Sequence, residues 1–139
     1  MSAAARTPSS PGILLFAHGA RDPNWALPFE AVAARVRALR PGAQVRLAFL
    51  ELMSPGLAQA GEELVAAGCV EITVVPLFLG AGGHVRKDLP ALVQALATAH
   101  PGVQVRLRSA VGEDPIVIEA LAAAAAQDPT PAFLPAATP

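Results

Sequence analysis

Three side chains that can bind a metal ion follow apolar, strand-like segments of this sequence. His18 follows ILLFA, Glu51 follows VRLAFL, and His84 follows ITVVPLFLGAGG. Imidazole and carboxylate groups are common ligands of divalent metal ions, and histidine also exchanges protons near neutral pH because its unperturbed pKa is about 6.5. These residue types therefore indicate metal binding combined with proton transfer.

The elements that position these side chains belong to a single domain. The 139 residues are enough for one domain with a proper core and too few for two. Hydrophobic residues make up 53% of the chain, yet its uncharged apolar stretches are shorter than the ~20 residues of a membrane span, so we expect a soluble protein. The formal net charge is -1 and no block of basic residues occurs, which argues against nucleic acid as a partner.

The two ends of the chain are expected to lie outside the folded domain. Segments 1–11 and 127–139 are rich in Pro, Ser, Thr and Ala and lack a periodic apolar pattern, so we predict disorder there and a domain at 12–126. The first dozen residues also lack the apolar region of a secretory signal, which favours a cytoplasmic location. The single cysteine, Cys69, is interpreted as a core residue.

Strand and helix signals alternate four times between these ends, which is typical of a parallel α/β sheet. The predicted strands are Ile13–Ala17, Gln44–Leu50, Glu71–Val75 and Val103–Leu107. The first and third are almost continuously apolar and are predicted to be central, whereas the second and fourth alternate with arginine and are predicted to be edges. With right-handed crossovers this predicts a doubly wound sheet of order 2-1-3-4 with helices on both faces. Pro76 is expected to end regular pairing of the third strand.

Three acceptor-proline pairs predict helix starts, because a side-chain acceptor caps the helix and proline fits its first turn. They are Asp22-Pro23, Ser54-Pro55 and Asp114-Pro115. The first helix is predicted to bury one stripe of residues that step by three or four: Trp25, Phe29, Val32, Val36 and Leu39.

A further helix is predicted from Lys87 to Ala99. Its inward-facing residues are expected to be Leu89, Leu92, Val93 and Leu96.

The predicted strand order brings the metal-binding side chains to one crevice. In open α/β sheets, ligands bind beyond the carboxyl ends of the strands where the winding reverses, here between the first and third strands. His18 and His84 flank that crevice, and Glu51 lies roughly 5 Å further along at ordinary strand spacing. The GAGGH segment lets the backbone approach a ligand closely.

Positive charge is expected around the mouth of this crevice, from Arg21, Arg86 and Lys87. Neutral imidazoles, one carboxylate and a cationic rim fit a divalent metal ion beside an anionic organic substrate.

Simpler interpretations stay open at this point. A single histidine in a loop is usually only a polar loop residue, Glu51 is compatible with a local cap or ion pair, and GAGG is compatible with a flexible turn. GAGG does not match either glycine-rich phosphate-binding pattern. His100, in the HPG turn at the opposite end of the predicted sheet, is interpreted as structural.

Three motifs around these residues resemble one known family. HGARDP, AFLEL before Ser-Pro, and VPLFLGAGGHVRKDLP are similar in sequence and order to the small sirohydrochlorin chelatases, namely the short CbiX-type cobaltochelatases and related ferrochelatases of the class II chelatase superfamily. The resemblance covers residues 12–126. It implies a chelatase of the lyase class that inserts a divalent metal ion into sirohydrochlorin, on the path to cobalamin or sirohaem.

The resemblance also implies roles for individual residues. His18 and His84 correspond to the metal-binding histidines of the family, and Glu51 to its acidic catalytic residue. The metal, Co²⁺, Fe²⁺ or Ni²⁺, is then a substrate, and no permanent cofactor is expected. The short members are commonly homodimers, so we expect a homodimer here.

Substrate contacts are expected from Arg21, Arg86 and Lys87, which would meet the peripheral carboxylates of sirohydrochlorin, and from Gly82 and Gly83 in the loop. Two other functional classes would use the same residues. One is a metal-storage protein or metallochaperone, and the other is a tetrapyrrole-binding module without catalytic activity.

Overall fold

Four parallel strands form one sheet in the order β2-β1-β3-β4, as the apolar patterns predict. The structure is a computed structural model that describes residues 9–80 and 82–128, except for the side chain of His84. Its strands are β1 Gly12–Ala17, β2 Gln44–Phe49, β3 Glu71–Pro76 and β4 Gln104–Leu107. Pairing of β1 with β3 ends at Phe16 and Pro76, so the proline is the last paired residue of its strand. The predicted end segments lie largely outside the described residues.

In the described part of the chain, four α-helices and two short 3₁₀ turns connect and follow these strands. The helices are α1 Leu27–Leu39, α2 Leu57–Ala66, α3 Gly83–Ala99 and α4 Pro115–Ala125, and the 3₁₀ turns are Pro23–Ala26 and Val111–Glu113. None of the helices within the described ranges is long and apolar enough to cross a membrane.

The core has one layer on each face of the sheet because successive strand side chains point to opposite faces. Leu14 and Phe16 of β1 pack in a cluster with α2 and α3 residues such as Leu64 and Val93. Leu15, between them in sequence, packs on the other side with Ala33 of α1. Helices therefore cover both faces, as expected of a doubly wound sheet.

Cys69 is buried at the start of β3 and belongs to the α2–α3 layer of the core. Burial raises the pKa of its thiol, and the nearby Arg46 charge opposes this shift in part. A protonated, enclosed thiol is a packing residue, as its sequence context predicts.

Two of the three predicted helix starts are confirmed. The carboxylate of Asp22 accepts the backbone N–H of Asn24, and that of Asp114 accepts the N–H of Ile116, each at 2.9 Å. The prediction for Ser54 is wrong, since α2 begins at Leu57 with Gly56 as its N-cap. The carbonyl of Pro55 instead accepts the N–H of Phe49 in β2 at 2.9 Å, which holds this segment against the strand and delays the helix.

The predicted buried stripe of the first helix is confirmed in part. Val32 and Leu39 are exposed, and the residues that are buried are Ala26 and Ala33. Trp25, Phe29 and Val36 are partly buried and pack against the same core clusters as these alanines, so the predicted face is correct for three of its five residues.

Helix α3 begins four residues before its predicted start. The N–H of Arg86 donates to the carbonyl of Gly82 at 3.0 Å, which extends the helix to Gly83. Leu89, Val93 and Leu96 are buried as predicted, but Leu92 is exposed. The consequence for the site is that residues 84–87 belong to the first turns of a helix and not to a loop.

Candidate functional site

His18 and Glu51 are adjacent because the pairing of β1 with β2 continues past the strand ends. The N–H of Leu50 donates to the carbonyl of Ala17 at 2.9 Å, and the N–H of Glu51 donates to the carbonyl of His18 at 3.1 Å. The two loops therefore leave the sheet side by side, as the parallel register predicts.

Gly19 allows these loops to approach so closely. Its φ is +98°, a conformation that side-chain-bearing residues rarely adopt, and a Cβ atom at this position would overlap the carbonyl oxygen of Glu51. The glycine after His18 is thus a requirement of the site, which the sequence pattern alone did not identify.

The side chains of His18 and Glu51 face each other. Nε2 of His18 lies 3.7 Å from Oε2 of Glu51, with 48% and 56% of the two side chains exposed. This separation exceeds an ordinary hydrogen bond. Metal–ligand bonds of 2.0–2.2 Å at a tetrahedral angle put two donors about 3.4 Å apart, so a small shift would let both atoms bind one ion. An exposed ion pair is the simpler use of the same geometry.

Phe78, in the apolar segment after β3, forms part of this site. Its ring meets the His18 ring edge-on, with centroids 6.1 Å apart, and contacts Phe16 with centroids 6.2 Å apart. The N–H of Leu77 donates to the carbonyl of Phe16 at 2.8 Å, which fixes the segment after β3 beside β1. Phe78 is therefore an apolar wall for one side of the imidazole.

The first turns of α3 lie across from Glu51. Glu51, Val85 and Asp88 help to line a cavity of about 160 Å³ between the loop after β2 and this helix. The backbone of His84 is the second residue of α3, while its side chain lies outside the described part of the structure. The fold thus brings the three predicted metal-binding residues to the same edge of the sheet.

The other predicted site residues lie in the loop after β1 or at the start of α3. Gly82 caps α3 and Gly83 begins it, and a Cβ atom at either position would meet no described atom within 4 Å. Arg21, Arg86 and Lys87 are exposed, and the ion pairs formed among described side chains do not include them. They remain available to an anionic ligand. His100 is the C-cap residue at the opposite end of α3, where its backbone N–H donates to the carbonyls of Leu96 and Ala97.

The described side chains contribute two potential metal donors at this edge of the sheet, from His18 and Glu51. Among the side chains that the structure describes, no group of three His, Cys, Asp or Glu residues could hold a metal ion together. His18 and Glu51 form an open pair of one nitrogen and one oxygen donor.

Comparisons with known proteins give a consistent result. A family model described as CbiX matches residues 12–128. The sirohydrochlorin cobaltochelatase of Saccharolobus solfataricus is 34% identical over 85 residues, which are 59% of this chain and 62% of the relative. The matched segment therefore spans less than two thirds of that relative.

Two solved structures share the fold. A cobalamin (vitamin B12) biosynthesis CbiX protein from Marinobacter aquaeolei VT8 is 36% identical with a TM-score of 0.73, and the match covers 83% of this chain and 93% of that one. The sirohydrochlorin chelatase SirB from Bacillus subtilis subspecies spizizenii, in complex with cobalt, is 26% identical with a TM-score of 0.73, and the match covers 82% of this chain and 49% of that one.

Proposed function

This chain belongs to the CbiX family, and from that premise we propose that it is a metal chelatase of the lyase class that inserts Co²⁺ or Fe²⁺ into sirohydrochlorin. The observation that carries the proposal is the open pair of His18 Nε2 and Glu51 Oε2, 3.7 Å apart at the carboxyl edge of the sheet. The names of the matched relatives support the same reaction. The product would enter cobalamin or sirohaem biosynthesis.

The proposed mechanism follows from the balance of protons. Insertion of a divalent ion into the macrocycle expels two pyrrole N–H protons, so the site must deliver a partly desolvated ion and accept protons. His18 and His84 would hold the ion weakly on one face of the macrocycle, one of these histidines or Glu51 would take up one proton, and the second proton would pass to solvent water. The pyrrole nitrogens then replace the protein ligands around the ion.

The metal is a substrate in this proposal, and no permanent cofactor is needed. Imidazole and carboxylate ligands accept Co²⁺, Fe²⁺ and Ni²⁺, so the donor types leave all three ions as candidates. A permanent four-ligand cage would oppose transfer, which is consistent with the open pair found here.

The peripheral carboxylates of sirohydrochlorin would contact the cationic rim. Arg21, Arg86 and Lys87 are exposed, in the loop after β1 and in the first turns of α3, and charge-assisted hydrogen bonds from such groups are stronger than neutral ones. The uncrowded backbone at Gly82 and Gly83 leaves room for the macrocycle to approach α3.

We also propose that two copies of the chain form a homodimer through α4. Ten of its eleven residues are apolar, and within Pro115–Ala125, all of which are described, no residue is buried. Ile116 is 77% exposed and Ile118 53%. An apolar helix surface of this kind usually marks an interface. The length of SirB supports this proposal, because this chain matches only 49% of SirB. A second copy of this chain would supply a segment about as long as the unmatched part of SirB.

The dimer proposal is tested by analytical ultracentrifugation. Ile116→Asp should convert a dimer into a monomer, because a buried unpaired carboxylate in the interface is strongly unfavourable. Leu39→Asp, at another exposed apolar helical position, is the matched control and should leave the dimer intact. A wild-type monomer, or an Ile116→Asp dimer of wild-type affinity, would contradict the proposal.

A cytoplasmic location stays a prediction, to be checked by cell fractionation.

The catalytic proposal is tested by mixing purified protein with sirohydrochlorin and Co²⁺, Fe²⁺ or Ni²⁺. A metal-dependent absorbance change faster than the spontaneous reaction is the expected result, and the ion with the highest rate identifies the preferred substrate. Sirohydrochlorin binding without turnover would instead indicate a tetrapyrrole-binding module. A tight, slowly exchanging metal site in the free protein would indicate storage or a metallochaperone.

A further inference from the structure

A groove of about 290 Å³ runs along the carboxyl ends of β3 and β4, beside the site already described. Its apolar walls come from the segment after β3, from α3 and from the segment after β4, and include Phe78, Leu89, Pro90 and Ala110.

Backbone contacts fix the shape of this groove. The N–H of Arg108 donates to the carbonyl of Val74 at 2.9 Å, and the N–H of Gly112 donates to the carbonyl of Phe78 at 2.9 Å. A Cβ atom on Gly112 would overlap the backbone of Leu79. The 3₁₀ turn after β4 is thus packed directly against the segment after β3, and the groove between them is preformed.

Two guanidinium groups and one carboxylate line the groove, from Arg86, Arg108 and Glu113. The Arg108 side chain is 58% exposed, and its single described ion pair is a loose one, with Nη2 4.0 Å from Oδ2 of Asp114. The carboxylate of Asp114 also accepts the N–H of Ile116 through Oδ1. Arg108 therefore keeps most of its donors free for an anionic ligand.

The groove and the metal-binding pair share the side chain of Phe78. This ring lines the groove and also lies edge-on to His18, with centroids 6.1 Å apart. A planar ligand wider than one phenyl ring, placed over His18, would therefore extend into the groove and bring its edge to Arg108.

We propose that the groove receives one carboxylate-bearing edge of the tetrapyrrole and that Arg108 pairs with a peripheral carboxylate there, which makes it a specificity-determining residue. This inference rests on the proposed function and adds a residue to it. Arginine suits the role because its planar fork binds a carboxylate through two parallel hydrogen bonds. The apolar walls would contact the face of the macrocycle, while the guanidinium of Arg108 would bind a carboxylate at the rim of the macrocycle.

Arg106 offers a matched control on the same strand. Its Nη1 lies 3.6 Å from Oε1 of Glu71, its side chain is 60% exposed, and it does not line the groove. Arg106→Ala and Arg108→Ala remove the same charge from similarly exposed positions. A difference in KM between the two variants therefore arises from the place of Arg108 in the groove and not from the overall charge of the protein.

The test is to measure kcat and KM for sirohydrochlorin at a fixed Co²⁺ concentration in wild type, Arg106→Ala, Arg108→Ala and Arg108→Lys. Arg108→Ala should raise KM by about tenfold or more with kcat within about twofold, as expected for loss of a charged hydrogen-bonded contact made equally in ground and transition states. Arg108→Lys should restore part of the affinity, and Arg106→Ala should match wild type. A wild-type KM in Arg108→Ala, or an equal rise in Arg106→Ala, would overturn the inference.

Direct titration of metal-free sirohydrochlorin, followed by its absorbance, separates this inference from the proposed reaction. If wild type turns over and Arg108→Ala binds sirohydrochlorin with the wild-type Kd, the role of Arg108 in the groove is rejected and the chelatase proposal is retained. Binding that depends on Arg108 without turnover would reject the chelatase and keep the groove. Absence of binding to wild type would reject both.

Discussion

Gly19→Ala is expected to damage both stability and the metal-binding pair. Gly19 has a φ of +98°, and a new methyl group would overlap the carbonyl oxygen of Glu51, the residue whose side chain faces His18. Since the N–H of Glu51 also donates to the carbonyl of His18 at 3.1 Å, relief of this overlap must separate the two loops.

The size of the effect can be divided into two contributions. Placing alanine in a left-handed conformation costs roughly 1–2 kcal/mol, and displacing packed backbone adds about 1–3 kcal/mol. Gly19→Ala should therefore lower the free energy of unfolding by about 2–5 kcal/mol. Gly68 provides the matched control, because its φ is +94° but a Cβ atom there would meet nothing within 4 Å. Gly68→Ala should cost only the conformational part, about 1–2 kcal/mol.

Urea unfolding followed by the fluorescence of Trp25 measures both variants, since this is the single tryptophan of the chain and it is partly buried. The midpoints should fall in the order wild type, Gly68→Ala, Gly19→Ala. In buffer without urea, where each variant is folded, Gly68→Ala should keep the wild-type rate of cobalt insertion. Gly19→Ala should insert cobalt about tenfold to a hundredfold more slowly, because the metal ligands are displaced. Equal midpoints for the two variants, together with a wild-type rate in Gly19→Ala, would refute the reasoning.

Three further predictions concern the packing that supports the site. Gly112→Ala should lower the free energy of unfolding, measured by urea titration, by about 1–3 kcal/mol, because its methyl group would overlap the backbone of Leu79. Gly102 has open space around it, so Gly102→Ala should change the free energy of unfolding by less than about 0.5 kcal/mol. Leu64→Ala should cost about 2–5 kcal/mol by the same measurement, since this side chain is fully buried between α2 and the sheet, and a loss below 1 kcal/mol would contradict the assigned core. Burial raises the pKa of the Cys69 thiol, so its contribution to stability is present at neutral pH and declines as pH rises past the pKa of the unfolded thiol. Native Cys69 should therefore resist alkylation that modifies the urea-unfolded chain rapidly, and equal labelling rates by mass spectrometry would show that the thiol is accessible.

The strand order and the edge that carries the site could be predicted from apolar patterning. Continuously apolar β1 and β3 are central, and the arginine-containing β2 and β4 are edges, because only a strand covered by helices on both faces can be apolar throughout. Once the order is known, the parallel register places His18 beside Glu51 without further information.

Local signals were less reliable where tertiary contacts competed with them. Ser54 does not cap α2, because the Pro55 carbonyl is occupied by the N–H of Phe49. Glycine is a poor helix former, so the sequence indicated a loop at Gly83, yet the segment is helical from that residue onward.

Phe78 and Arg108 could not be assigned to a site from sequence because their roles depend on distant segments. Phe78 is indistinguishable from a strand residue until its ring is placed against His18. Arg108 continues the alternation of β4 and becomes a groove residue only because the next turn folds back onto the carbonyl of Phe78. Such placements require the three-dimensional fold.

The most direct test of the central claim is the initial rate of cobalt insertion into sirohydrochlorin by wild type, His18→Ala and His100→Gln. His100 lies at the opposite end of the sheet from the metal-binding pair and controls for the loss of an imidazole. The account predicts that His18→Ala falls to the spontaneous rate while His100→Gln keeps the wild-type rate. Retention of the wild-type rate by His18→Ala would contradict it.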